Sequence, residues 1–512
     1  MKTLRISLLF ALSAFSWMAR AQNKFIPWYG LDEDSTKTRG SWGHDNRSEA
    51  LYKWEYRDYS RATATAVSSS QINGSTIKCS TLGERLKRKF GNYPLDKGVR
   101  FTDQPAPGFC TGYLIAPDIL VTAGHCIDDP SKLSETVWIF DFDKSVAYNS
   151  GTKSITIPTS NQFRGVEILD RKNDGIGLPD YCFIRLDRKT GRKPYFFRTG
   201  GSLSYKAKVA MVGSPYGLPL KVSDSGVVTN STIGKYFWHD LDAFGGNSGG
   251  PVFNADGWIE GHEVFGSPDY YLDETTNTIK QTTIVDSNYL KGGYAYSGNA
   301  SYRITSTNRD LLNYAIYRNL EVAIEEDNFT NFKDWCVYLW FWTKSFDYRD
   351  PILALAIKNN RTNMVDYILD QKDVQINAKD LYGVPMLQLM ISMGMTAQAQ
   401  KMLKTYKTTD IEATNSYGET PLMQACRLGN LEMVKLLLQN AANPNARTPG
   451  SDFALAISAR YGYTEIVQSL LDNGADPTMK NGEGKTASKI AKAAKNKEIA
   501  GILKKAEKKA RK

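Results

Sequence analysis

A glycine-rich turn at residues 245–251 holds a single serine, Ser248, at its centre. Glycines adopt backbone conformations that other residues avoid, and they let the chain approach a substrate carbonyl closely. Successive backbone N–H groups in such a turn can stabilise a developing oxyanion. A nucleophilic hydroxyl needs this setting, but a plain surface loop between two strands has the same composition. A general base and an orienting acid upstream of the turn would decide between the two interpretations.

Histidine is the natural base, because the unperturbed pKa of imidazole lies near neutral pH. His125 comes at the end of a strand-like run and directly before Cys126. His239 is closer to Ser248 in sequence, but closeness in sequence is not geometry, so we interpret His239 as structural or adjacent to the substrate. The chain contains four histidines in all: His44, His125, His239 and His262.

Short strand-like runs dominate residues 22 to about 305 and must position these side chains. The runs are rich in β-branched and aromatic residues and are separated by Gly, Pro, Asn and Asp. No helix of convincing period appears before residue 305. Many short strands over this length predict a β-sandwich or a pair of barrels. The clearest runs are residues 137–142, 153–157, 181–186, 207–212 and 252–253.

Two segments of the sequence resemble signatures of chymotrypsin-like serine proteases. Residues 109–126, FCTGYLIAPDILVTAGHC, are similar to the histidine motif, and residues 245–251, GGNSGGP, to the nucleophile motif. The resemblance covers about residues 40–265 and implies an all-β chymotrypsin-like double β-barrel with serine endopeptidase activity. Further segments resemble the bacterial glutamyl-endopeptidase branch, namely residues 42–47, 59–63, 213–222 and 240–244.

The resemblance also implies a catalytic triad in the chain order His, Asp, Ser, with His125 as base and Ser248 as nucleophile. Asp174, Asp180 and Asp187 lie between them, and Asp180 is favoured because it begins an apolar strand. Asp187 lies at the exit of that strand, and Asp174 lies in a loop. The family further implies an oxyanion hole from the N–H groups of Gly246 and Ser248. It also implies a disulfide between Cys110 and Cys126.

The primary specificity pocket is left open between two chemistries. Asp242, six residues before Ser248, is the position expected to line the base of the pocket, which favours Lys or Arg on the acyl side of the cut. In glutamyl endopeptidases, a histidine on a later strand binds the acidic substrate, so His262 or Glu263 is expected to face the pocket. A basic preference is favoured, with an acidic one as the alternative. Asn247 stands where trypsin-like zymogens have an aspartate, so that activation switch is predicted to be absent.

The second half of the chain repeats itself. Residues 418–438, GETPLMQACRLGNLEMVKLLL, resemble an ankyrin repeat, and the pattern recurs 33 residues later, where Leu455 aligns with Leu422. Degenerate copies begin near Asp350 and Tyr382, and a further copy near Gly484. Ankyrin repeats are helix pairs that stack on their neighbours. Residues 348–512 are therefore predicted to be an all-α solenoid of about four to five repeats, following a helical linker or docking segment at 306–347.

The formal net charge of +10 is unevenly distributed. Residues 485–512 contain eleven Lys or Arg and two Asp or Glu, which suits a lysine-rich terminal cap of the solenoid, and no nucleic-acid partner is predicted. Residues 1–21 have a positive start, an apolar run and a small-x-small site at residues 19–21, and so predict a secretory signal. Cys79, Cys182 and Cys336 have no assigned pairing.

The sequence thus predicts an exported, periplasmic or secreted, serine endopeptidase at residues 22–305, fused to an ankyrin array that binds a protein partner or docks within the chain. Its substrates would be proteins or peptides. No cofactor, metal or membrane span is expected. The alternative is an ankyrin adaptor whose protease-like domain is latent or serves only for recognition.

Overall fold

The computed structural model describes residues 47–50, 60–174, 179–232, 234–265, 270–281, 299–338, 349–371 and 374–511. The chain divides into two compact units, Met1–Arg318 and Asn319–Lys512. The predicted signal segment, His44 and part of the predicted linker at 306–347 lie outside the described residues.

The first unit is built from short antiparallel strands. These are β1 (Ser48–Glu49), β2 (Thr63–Ser68), β3 (Ile72–Asn73), β4 (Thr76–Lys78), β5 (Gly108–Ala116), β6 (Ile119–Thr122), β7 (Thr136–Phe140), β8 (Tyr148–Asn149), β9 (Ser154–Thr156), β10 (Gln162–Asn173), β11 (Asp180–Leu186), β12 (Lys208–Gly213), β13 (Lys221–Asn230), β14 (Tyr236–His239), β15 (Pro251–Asn254), β16 (Ile259–Phe265), β17 (Tyr270–Asp273), β18 (Thr278–Gln281) and β19 (Asn299–Arg303).

These strands close into two six-stranded barrels, which confirms the predicted chymotrypsin-like double β-barrel. The first barrel has the strand order β10-β11-β6-β5-β2-β7. The second has the order β13-β12-β15-β16-β19-β14 and closes because β14 also pairs with β13. Alternating apolar residues such as Val209 and Met211 fill the second barrel together with Phe237 and Val252, as expected for strands with one buried face.

The amino-terminal strand β1 pairs with β13 of the second barrel. Its Glu49 is buried and forms an ion pair with Lys221 at 2.8 Å. Gln104 donates to Glu49 at 2.7 Å and accepts from Lys221 at 2.7 Å, so all three polar side chains are mutually bonded. Burial lowers the pKa of Lys221 to about 8, although Glu49 opposes the shift.

The prediction that no helix precedes residue 305 is wrong. Helix α1 (Leu82–Lys89) lies within the first unit, and the four-residue helix α2 (Lys132–Glu135) follows it. The start of α1 is a capping box, in which the N–H of Glu84 donates to Thr81 Oγ1 at 3.3 Å and the N–H of Thr81 donates to the Glu84 carboxylate at 3.0 Å. A capping box satisfies two N–H groups that a helix start leaves unpaired.

The first unit extends beyond the predicted boundary at residue 305. Strand β19 closes the second barrel, and helix α3 (Arg309–Glu325) follows it. Within the unit, Arg318 of α3 forms an ion pair with Asp118 at 3.0 Å. Arg185 of β11 donates to Tyr314 at 3.1 Å. The first turns of α3 therefore belong to the barrel unit.

The second unit is helical, and from residue 352 its helices alternate in five pairs, in agreement with the predicted ankyrin solenoid. Gly429 and Gly462 end the first helices of two pairs in the left-handed conformation, which glycine adopts without strain. In the last pair, Ile499 and Leu503 are buried, while the lysines of that helix are exposed. The helices are α4 (Phe329–Trp335), α5 (Ile352–Lys358), α6 (Thr362–Leu369), α7 (Met386–Ser392), α8 (Thr396–Thr405), α9 (Pro421–Leu428), α10 (Leu431–Gln439), α11 (Ala454–Tyr461), α12 (Thr464–Asp472), α13 (Ala487–Ala493) and α14 (Lys497–Ala510).

Candidate active site

A disulfide holds the loop that carries His125. Strands β5 and β6 form a hairpin, and the chain leaves β6 into a short 3₁₀ turn, Gly124–Ile127. Cys126 in this turn is bonded to Cys110 in β5, with a Cα–Cα distance of 6.1 Å. The remaining cysteines among the described residues, Cys79, Cys182, Cys336 and Cys426, are free and buried.

His125 pairs with Asp180, the first residue of β11. The ring Nδ1–H donates to Asp180 Oδ2 at 2.7 Å, and the backbone N–H of His125 donates to Asp180 Oδ1 at 3.0 Å. Burial alone would raise the pKa of Asp180, but the hydrogen bonds and charge of His125 outweigh it, so the pKa lies below its ordinary value. Because Nδ1 is engaged by the carboxylate, Nε2 is the ring nitrogen left for a substrate or nucleophile.

The other two candidate acids do not contact His125. Asp174 is exposed, and its backbone N–H donates to the carbonyl of Pro179. Asp187 is exposed at the end of β11 and forms an ion pair with Arg188 at 2.9 Å. Of the three aspartates that the sequence offers, the structure brings only Asp180 to the base.

Ser248 lies next to the loop of His125 because its turn is fixed to β5. The backbone N–H of Thr111 donates to the carbonyl of Ser248 at 2.9 Å. Gly249, with φ of +82°, packs so tightly that a Cβ there would collide with the Thr111 carbonyl and the Thr122 hydroxyl. Glycine is therefore required at residue 249 for both its conformation and its size.

The peptide groups before Ser248 have fixed directions. The carbonyl of Gly245 accepts from the N–H of Tyr216, and the carbonyl of Gly246 accepts from Thr111 Oγ1 at 2.7 Å. Within the described part of the chain, the N–H groups of Gly246 and Ser248 donate to no protein acceptor. Two such donors in one turn can bind an anionic oxygen.

Asn247 fills the position before Ser248 and is buried, with 1% of its surface exposed. Its N–H donates to the carbonyl of Phe244 at 2.8 Å. Its side chain bears no charge that could pair with a chain terminus.

His262 lies behind Asp180. The side chain is fully buried, its Nε2–H donates to the backbone carbonyl of Asp180 at 2.9 Å, and its Nδ1 lies 3.4 Å from the hydroxyl of Tyr113. Burial lowers the pKa of His262 to about 4, so the ring is neutral at pH 7. Of the two neighbours that were expected to face the pocket, His262 contacts Asp180 from the second barrel.

Glu263, the next residue in β16, points to the other face of the strand. Its Oε2 accepts from His239 Nε2 at 3.0 Å and from Ser301 Oγ at 3.1 Å. Burial raises the pKa of Glu263, and the contacts with His239 and Ser301 oppose the shift. The sequence did not bring His239 together with Glu263 and Ser301, because the three residues lie on three different strands, β14, β16 and β19.

Asp242 is only half-buried, and its backbone N–H donates to Ser223 Oγ at 2.9 Å.

One group of residues has the spacing of metal ligands: the side-chain donor atoms of Cys110, His125 and Cys126 lie within 4.8 Å of one another. The two sulfur atoms are joined in the disulfide, so they are not thiolate ligands.

Residues 110–261 match a family model described as a trypsin-like peptidase domain. The matched segment contains His125, Asp180 and Ser248. Residues 353–448 and 386–481 match a model described as ankyrin repeats, in three copies. No match is found among curated proteins. One segment of the chain is thus similar to trypsin-like peptidase domains and another to ankyrin repeats, while the resemblance to the glutamyl-endopeptidase branch stays a prediction.

Among the described residues, no helix combines the length and apolarity needed to cross a bilayer.

Proposed function

We propose that this chain is an exported serine endopeptidase that cleaves proteins or peptides through an acyl-enzyme. The observation that carries the proposal is the His125–Asp180 pair, bonded at 2.7 Å beside a turn whose glycines leave Ser248 half-buried. The trypsin-like match over residues 110–261 supports the same reaction class.

In the proposed reaction, Ser248 Oγ attacks the scissile carbonyl carbon while His125 Nε2 accepts the hydroxyl proton. Asp180 holds the ring through Nδ1 and stabilises the imidazolium that forms. The negative oxygen of the tetrahedral intermediate would lie at the N–H groups of Gly246 and Ser248. The C–N bond then breaks, and the leaving amine takes the proton from His125. Water hydrolyses the acyl-enzyme by the same steps and releases Ser248.

Two features support export. Disulfides persist in oxidising compartments, and Cys110–Cys126 is one. Residues 1–21 also have the pattern of a secretory signal. We assign the ankyrin repeats to the binding of a protein partner, because stacked helix pairs form extended surfaces and carry no groups placed for catalysis.

Labelling with a fluorophosphonate tests the proposal. The purified full-length protein should form a covalent adduct at Ser248, and the Ser248→Ala variant should form none. An Asp187→Asn variant serves as the matched control, because Asp187 is exposed and away from His125, and it should label at the wild-type rate. A folded wild-type protein that does not label would favour the latent adaptor instead.

A further inference from the structure

Helix α1 places a charged side chain, Arg85, against backbone carbonyls near the glycine-rich turn at residues 245–251. Its Nη1 atom donates to the carbonyls of Ala106 and Tyr216, both at 2.7 Å. It also donates to the carbonyl of Gly108 in β5 at 2.9 Å. Among the described residues, no carboxylate lies within ion-pair distance of Arg85, so its charge is directed at backbone oxygens. Hydrogen bonds from a charged donor are stronger than those between neutral groups.

Tyr216 has a backbone conformation that tyrosine rarely adopts. Its φ of +52° and ψ of +24° lie in the left-handed region. A residue with a Cβ enters this region at a cost in free energy, so the surrounding contacts must hold it there. The Tyr216 ring packs edge-on against the ring of Tyr270 in β17, with 4.9 Å between the centroids. The bond from Arg85 to the Tyr216 carbonyl is the contact that acts directly on this backbone.

The backbone of Tyr216 in turn sets the direction of a peptide group in the glycine-rich turn. The N–H of Tyr216 donates to the carbonyl of Gly245. The N–H of Gly246 belongs to the same planar peptide group and points away from that carbonyl. Gly246 also packs closely on this segment, since a Cβ there would lie 2.7 Å from the carbonyl oxygen of Ser214. Rotation of the peptide group would therefore break the bond from Tyr216 and redirect the Gly246 N–H.

We propose that Arg85 is a positioning residue for the oxyanion site, because its bond to the Tyr216 carbonyl keeps the Gly246 N–H directed at the oxygen of the tetrahedral intermediate. The proposal rests on the proposed function, since that oxygen forms only when Ser248 attacks a carbonyl. A donor to the oxyanion stabilises the transition state more than the bound substrate. A misdirected Gly246 N–H therefore lowers kcat and leaves KM almost unchanged.

Steady-state hydrolysis of one peptide substrate by the full-length protein tests this role. Arg85→Met removes the donors and keeps the apolar stem, so kcat should fall on the order of 10- to 100-fold. KM should change by less than about twofold. Arg85→Lys retains a charged donor and should recover part of the loss. Arg88→Met is the matched control on the same helix, because Arg88 is exposed and donates to Ser80 Oγ, and it should keep the wild-type kcat.

A change at Tyr216 separates positioning from a general effect on the fold. Glycine adopts the left-handed conformation without strain, so Tyr216→Gly should make the turn less dependent on Arg85. In the Tyr216→Gly background, Arg85→Met should therefore lower kcat several-fold at most. An equal loss in both backgrounds would show no coupling between the two residues and would overturn the proposal. If Arg85→Met does not fold, Arg85→Gln, which retains a neutral donor, takes its place in both backgrounds with a smaller expected loss.

The remaining outcomes separate this proposal from the proposed function. Wild-type protein that labels with the fluorophosphonate, together with a folded Arg85→Met variant that keeps the wild-type kcat, overturns the positioning role alone. A raised KM with an unchanged kcat also overturns it, because Arg85 would then act on substrate binding. Wild-type protein that does not label overturns the proposed function itself.

Discussion

Each barrel of the first unit contains one histidine–carboxylate pair, and the two pairs differ mainly in exposure. The N–O distances are 2.7 Å for His125–Asp180 and 3.0 Å for His239–Glu263. The His125 side chain is 37% exposed, whereas that of His239 is 0% exposed. The pKa of Asp180 lies below its ordinary value, but burial outweighs the contacts of Glu263 and raises its pKa.

This difference teaches that similar contacts serve different purposes in the two barrels. In the proposed reaction His125 exchanges protons with substrate and water, and its exposed edge allows this. The buried pair His239–Glu263 is closed to solvent and cannot exchange protons readily. We therefore expect changes at the first pair to alter the rate for every substrate.

The largest effect is expected from Asp180→Asn. The amide cannot stabilise the imidazolium and favours the wrong tautomer of His125, so kcat should fall on the order of 10⁴-fold. Hydrolysis of one peptide substrate by the wild-type and variant proteins measures the loss. A variant that cleaves at the wild-type rate would show that Asp180 does not act on His125 in the reaction.

A smaller effect is expected at His262, which contacts the first pair from the second barrel. Its pKa is about 4 in the folded protein and 6.5 in the reference state. Between these values the unfolded chain binds a proton that the native protein does not. Stability therefore falls as the pH drops from 6.5 to 4, by up to about 3 kcal/mol from this group. The loss is complete below pH 4 and absent above pH 6.5.

His262→Gln should flatten this dependence, because glutamine offers an N–H donor and does not titrate in that range. Denaturant unfolding of the full chain at pH 4 to 7, in a Ser248→Ala background that prevents self-digestion, measures the slope. An equal slope with and without His262 would show that another group causes the acid sensitivity. In the active background, His262→Phe should lower kcat more than His262→Gln, since only glutamine can still donate to the Asp180 carbonyl.

The smallest effect is expected from Thr111→Val, which affects the glycine-rich turn at residues 245–251. Thr111 Oγ1 donates to the carbonyl of Gly246 at 2.7 Å and accepts from the N–H of Ser214 at 3.0 Å. Loss of both bonds should cost about 2 kcal/mol of stability. It should also lower kcat for all substrates without changing their ranking. Thr111→Ser keeps the hydroxyl and should restore both properties; a serine variant as weak as the valine variant would point to lost packing of the methyl group instead.

The sequence was most informative where chemistry depends on short segments. The proposed base and nucleophile each lie in a motif of a few residues, and the proposed acid begins a recognisable strand, so the sequence alone predicts His125, Asp180 and Ser248 as the site. The two-barrel fold followed from the resemblance of these motifs to chymotrypsin-like serine proteases. Helix α1 was missed, although Thr81 and Glu84 have the spacing of a capping box and the buried Leu82 and Leu86 lie four residues apart.

The sequence could not decide which of residues 262 and 263 faces the predicted pocket, and the reason is different. Neighbouring residues in a strand point to opposite faces, so a shift of one residue in register exchanges their surroundings. The register is set by pairing with β19, where Glu263 faces Ser301 and His262 faces Tyr302. Likewise, the contact between Arg318 and Asp118, which extends the unit past residue 305, joins positions 200 residues apart. Such pairings depend on tertiary structure, which local patterns do not specify.

The pairing of β1 with the second barrel sets a limit on proteolytic maturation of this chain. A processing enzyme that cuts before Arg47 leaves Glu49 bonded to Lys221 and Gln104. A cut after Ala50 would remove Glu49 and leave the ammonium of Lys221, which is 2% exposed, without its carboxylate. An unpaired buried charge is strongly destabilising. The mature amino terminus of a stable enzyme should therefore lie at or before residue 47, whichever protease produces it.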